Sequence, residues 1–122
     1  MIELLLQAER ALSVGLIDQA DRLYRQVATA DPRNSIAVVG LARVALERSD
    51  DAEAWRQARR ALAIDPENVA ARRLGDRLEE VFAERGQALP EPLDVDNGTG
   101  AAARTAPASA GLVDRLLRRS RP

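Results

Sequence analysis

The sequence predicts an all-α fold, an α-solenoid of stacked antiparallel helix hairpins, and three observations carry that prediction. Asp31-Pro32-Arg33-Asn34 returns as Asp65-Pro66-Glu67-Asn68, an offset of 66 − 32 = 34 residues. Sliding one block onto the other matches Ala8/Ala42, Ala11/Ala45, Leu12/Leu46, Ala20/Ala54, Arg22/Arg56 and Arg25/Arg59 as well. Hydrophobic residues make up 46% of the chain but aromatic residues only 2%, so the core must come from Ala, Leu, Val and Ile. Small side chains of this kind suit closely packed helices. A fixed period of this length marks units that bury their apolar faces only against neighbours. Such arrays usually bind other molecules and do not transform them.

The elements follow in order. Residues 1–14 place Leu4, Ala8, Ala11 and Leu12 at helical spacing, and Gly15 permits the turn that ends the helix. Asp18 is the expected N-cap of a second helix over 19–30, with Ala20, Leu23, Tyr24 and Val27 in one stripe. Pro32 stops it, since proline disfavours helical geometry in the residue before it. Asn34 or Ser35 caps a third helix over 35–48, carrying Val38, Leu41, Ala42 and Ala45. Asp50 with Glu53 has the sense of a capping box before a fourth helix over 52–64. That helix carries Ala54, Trp55, Ala58, Ala61 and Leu62. A fifth over 69–85 gathers Ala71, Leu74, Leu78, Val81 and Phe82 on one face and is charged elsewhere, as a terminal cap should be. Gly86 stops it.

From Gln87 to Ala110 the chain reads as a flexible linker, with Pro90, Pro92, Gly98, Gly100 and Pro107 and no usable periodicity. Residues 111–122 differ again. Leu112, Val113, Leu116 and Leu117 group on one helical face, with Arg115, Arg118, Arg119 and Arg121 around the other. The expected organisation is therefore a helical domain over 1–86 (units 1–34, 35–68 and 69–86), a linker over 87–110 and a basic amphipathic tip over 111–122.

Composition narrows the function classes. The formal net charge of −1 argues against nucleic acid, which requires a basic excess. Cys and His are both absent, which removes disulfides, the commonest zinc ligands, cysteine nucleophiles and the residue best suited to proton transfer near neutral pH. Nothing resembles a signal core or a membrane span, so a cytoplasmic location is the expectation. Asp50, Asp51 and Glu53 could be a carboxylate cluster, but helix capping accounts for them. Gly98-Thr99-Gly100 lacks the strand and helix that a phosphate loop needs. Asn97-Gly98-Thr99 matches a glycosylation sequon, by coincidence in a chain without a secretory signal. Trp55 beside Ala54 reads as the main packing residue between the second unit and the cap, in preference to a ligand-stacking aromatic. Neither metal nor cofactor is expected, and the chain is read as no enzyme.

The two 34-residue blocks resemble tetratricopeptide repeats, in which two antiparallel helices cross at small residues. Ala8 and Ala42 lie mid-way along the first helices, Ala20 and Ala54 near the start of the second, and Pro32 and Pro66 at the end. Tyr24 stands at the usual aromatic position, where the second block has Ala58. The resemblance covers two repeats plus a C-terminal capping helix, and that helix is expected to complete the core because such stacks usually need three or more units. It implies a concave groove lined by the first helix of each repeat. The groove positions singled out are Leu5, Glu9, Ile36, Val39, Arg43, Arg73 and Arg77, with Ile2, Leu12, Ser13, Gly40 and Glu47 alongside. The chaperone-adaptor branch clamps a C-terminal carboxylate with Lys and Asn at sites that here hold Leu5, Glu9, Gly40, Ala70 and Leu74. That clamp is absent.

What the resemblance leaves is an apolar strip from Ile2, Leu5, Ile36 and Val39 with arginines at one end. It suits an amphipathic helix or an extended apolar peptide with an acidic end. The expected function is a non-catalytic adaptor or scaffold that binds another protein, with self-association as a further option. The tip supplies a second contact through Leu112, Leu116, Arg115, Arg118 and Arg119, and two linked contacts raise avidity. The alternative is a peripheral membrane or assembly-subunit adaptor. Its tip would make a weak contact with anionic membrane, each basic residue contributing on the order of 1 kcal/mol.

Overall fold

The structure is a computed structural model that describes residues 1–91. Five α-helices and no strand lie within them: α1 (Ile2–Ser13), α2 (Ile17–Ala30), α3 (Ser35–Glu47), α4 (Asp51–Ile64) and α5 (Val69–Glu84). Each helix packs on the next in chain order, with a smaller contact between α1 and α3. Contacts confined to neighbours in this way are compatible with a helical repeat.

One turn closes α1, α3 and α5. After α1, Gly15 (φ +85°) lets its own N–H reach Leu12 O and the Leu16 N–H reach Ala11 O, at 3.1 and 2.8 Å. The carbonyls left over at a helix end are satisfied by a left-handed residue of this kind. Ser49, 34 residues on in the alignment of the blocks, repeats the geometry with φ +61°, and Asp50 N–H bonds to Ala45 O at 2.8 Å. Gly86 repeats it after α5.

The helix starts divide into two kinds. Asn34, Asp50 and Asn68 each accept a hydrogen bond from the backbone N–H three residues on, at 3.0, 3.1 and 3.0 Å. Asp50 makes only half of a capping box, because the Glu53 carboxylate turns to Gln57 and Arg56. α2 corrects the expectation for Asp18. The helix begins two residues earlier than expected, at Ile17, with Leu16 before it and no side-chain cap. The tight turn at Gly15 leaves no room for a further residue, so Asp18 falls in the first turn and pairs with Arg48 at 2.6 Å.

The expected stripes are the buried ones. Ala8, Ala11, Leu12, Ala20, Tyr24, Val27, Ala37, Leu41 and Val44 share one cluster. Val38, Val39, Ala61 and Ala71 form another. Trp55 packs with Ala45, Ala54, Leu78 and Phe82 and so joins α3, α4 and α5, while its Nε1–H donates to Glu79 at 3.1 Å. Ala8, Ala20, Ala42 and Ala54, the small residues at equivalent places in the two blocks, are all fully buried. A larger side chain at any of them would force the backbones apart.

Candidate functional site

Three charged or polar side chains from three helices meet between α1 and α3. The Tyr24 hydroxyl on α2 donates to the Glu9 carboxylate on α1. Arg43 on α3 donates to the same carboxylate from Nη1, at 3.1 and 2.8 Å to its two oxygens. Burial pushes the Glu9 carboxyl up, but the Tyr24 hydroxyl and the Arg43 guanidinium outweigh it and hold the group below its ordinary value. Burial, and then the Glu9 charge, push the Tyr24 phenol well above its ordinary value, so it remains a donor across the neutral range. Beneath this node Gly40 faces the Tyr24 ring, and a Cβ there would run into it.

Arg43 also borders two open depressions. One, of about 260 Å³, is lined by Val39 and Arg43 of α3 and Ala70, Arg73, Leu74 and Arg77 of α5. The other, of about 460 Å³, is lined by Leu12, Ser13, Gly15, Arg43, Leu46 and Glu47. No residue of α2 or α4 lines either, so the shared face belongs to the first helix of each block and to α5. The first depression is smaller than the roughly 300–1,000 Å³ of an enclosed small-molecule site. It suits side chains of a peptide.

The singled-out residues thus fall into different roles. Arg73 and Arg77 are exposed on α5, and no ion pair involves either among the described residues. Ile36 is 60% exposed, and Ile2, the same residue 34 positions earlier, is 72% exposed. Leu5 is half-buried against the core of the first hairpin. Val39 is only 6% exposed and packs with Val38, Ala61 and Ala71, so it serves as floor and core more than as an open apolar contact. Gly40, expected in the groove, is sealed under Tyr24. Glu9 and Arg43 satisfy each other. Sequence reasoning did not connect Tyr24 to them; the signal available was an aromatic with a hydroxyl beside two opposite charges at matched positions, Glu9 and Arg43, 34 residues apart.

Leu112, Leu116, Arg115, Arg118 and Arg119 lie outside the described residues, as does the linker beyond Glu91. Among the described residues no group of three or more acidic side chains is placed to hold a metal ion, and no helix is long and apolar enough to cross a membrane. Comparison with family models, with curated proteins and with solved structures returned no match.

Proposed function

We propose that this chain is a non-catalytic adaptor of the tetratricopeptide-repeat type, cytoplasmic, which binds a peptide or helix of another protein on the face shared by α1, α3 and α5. One observation carries the reading. The exposed isoleucines Ile2 and Ile36 and the exposed arginines Arg73 and Arg77 lie on the helices that line the two open depressions, while the large side chains Tyr24 and Trp55 are buried at the junctions between units. Apolar and cationic groups held on rigid helices give anchor and register to an incoming segment. The unit boundaries proposed for this domain, 1–34, 35–68 and 69–86, follow the period of the sequence.

The test is affinity capture with the full chain and with an Ile36→Asp, Arg73→Glu variant. Both positions are exposed, so helicity should be retained; Val39→Asp is unsuited because it would bury a carboxylate. Proteins captured by the parent and lost by the variant, with helical circular dichroism unchanged, support the reading. An identical set of captured proteins would contradict it.

A further inference from the structure

The arginine end of this face lacks a counter-charge. Arg73 and Arg77 stand one turn apart on α5, a spacing at which like charges weaken a helix. Arg43, the third cation of the depression, is held by Glu9. An occupant therefore needs two carboxylates about 6 Å apart, the separation of side chains one helical turn apart, and apolar residues for the floor of Val39, Ala70 and Leu74.

The chain itself contains such a stretch. An extended backbone rises roughly 3.3 Å per residue, so residues i and i+2 share an edge about 6.6 Å apart. Asp94 and Asp96 have that spacing, with Leu93 and Val95 alternating between them, and no basic residue occurs from Gln87 to Ala103. The tip, by contrast, carries Arg115, Arg118, Arg119 and Arg121 against one acid, Asp114. Its charge matches that of the depression, and like charge excludes it.

Geometry decides whose stretch it is. The Glu91 carbonyl accepts from Arg56 Nε of α4 at 2.8 Å, and α4 lines no part of the depression. Three residues, from Glu91 to Asp94, span at most about 11 Å. A helix with its side chains is about 10–12 Å across, too much to round in that length on the way to the far side of α5. The stretch must come from another copy.

We propose that Leu93-Asp94-Val95-Asp96 of one copy of this chain occupies the arginine-lined depression between α3 and α5 of a second copy, each chain doing the same for the other. A reciprocal exchange closes as a twofold pair, whereas one-way docking would propagate. The inference rests on the reading of this face as a peptide groove. Self-occupancy makes the groove available to another protein only when the pair separates.

Sedimentation velocity of the full chain over a range of concentrations tests it, in the parent, in R73E/R77E, in D94K/D96K and in the quadruple charge swap. The expected result is a dimer in the parent, dissociation at least tenfold easier in each double variant, and recovery in the quadruple swap. Salt should weaken the pair as the screening length falls from about 8 Å at 0.15 M to about 3 Å at 1 M. Circular dichroism checks that every variant keeps its helices. A monomeric parent, association indifferent to both swaps, or association lost on deleting residues 111–122 but kept in D94K/D96K would each overturn the proposal. A monomeric parent whose Ile36→Asp, Arg73→Glu variant still loses its captured protein overturns self-docking alone and leaves the groove reading standing.

Discussion

The junction of α2 with α3 and the junction of α4 with α5 solve one packing problem in two ways. At the first, Tyr24 lies over Gly40 and its hydroxyl reaches Glu9, so the aromatic both fills space and ties into a polar node. At the second, the residue equivalent to Tyr24 is Ala58, and the filling is done by Trp55, one turn earlier, against Leu78 and Phe82. Trp55 also has a polar tether, its Nε1–H to Glu79. The small residues at the helix crossings are kept in both blocks, while the large one moves. Close backbone approach depends on the absence of side chain at fixed places; void filling depends only on volume, which either neighbouring turn can supply.

This contrast can be broken at each junction. Trp55→Ala should have the largest effect, about 3–5 kcal/mol of stability, since α4 and α5 share little other large apolar contact. A loss below about 1 kcal/mol in denaturant titration would show that Phe82 and Leu78 seal the junction unaided. Tyr24→Phe should cost less, about 0.5–1.5 kcal/mol, because the ring stays over Gly40 and only the hydrogen bond to Glu9 is lost.

The same variant sharpens the polar half of the comparison through pH. Glu9 is held below its ordinary value of 4.5 in the folded chain. Its contribution to stability is therefore present above that value and is lost as pH falls through the lower, folded one. Removing the Tyr24 hydroxyl raises the folded value toward the unfolded one. Urea titrations below pH 4.5 should show a shallower acid loss in Tyr24→Phe than in the parent; parallel curves would mean that Arg43 alone holds the carboxylate.

Much of this architecture was readable from the residues. The 34-residue offset and the Ala and Leu stripes marked all five helices, because burial of one face imposes helical spacing that sequence records directly. Asn34 and Asn68 declared their caps. The start of α2 was less readable, since Asp18 is a good capping residue type and only the tight turn at Gly15 moves the helix past it. The face between α1, α3 and α5 was half legible. Ile36, Arg73 and Arg77 are exposed as their places in the period suggest. Glu9 and Arg43 looked equally open to a ligand, yet they bond to each other, and nothing local in either block signals a pairing made across two helices. Val39 was taken for strip and proves to be floor, because α5 closes over it from a block that matches the others poorly.

Two buried helix glycines measure the difference between the junctions most directly. A Cβ at Gly40 would enter the Tyr24 ring, whereas a Cβ at Gly75 would meet Ala58 Cβ at 3.9 Å, an ordinary contact. Paired thermal and urea melts of Gly40→Ala and Gly75→Ala should therefore diverge in sign. Gly40→Ala should lose about 1–3 kcal/mol to overpacking, and Gly75→Ala should gain about 0.5–1 kcal/mol from better helix propensity. Equal shifts, or a stabilised Gly40→Ala, would contradict the packing of α2 on α3 on which this account rests.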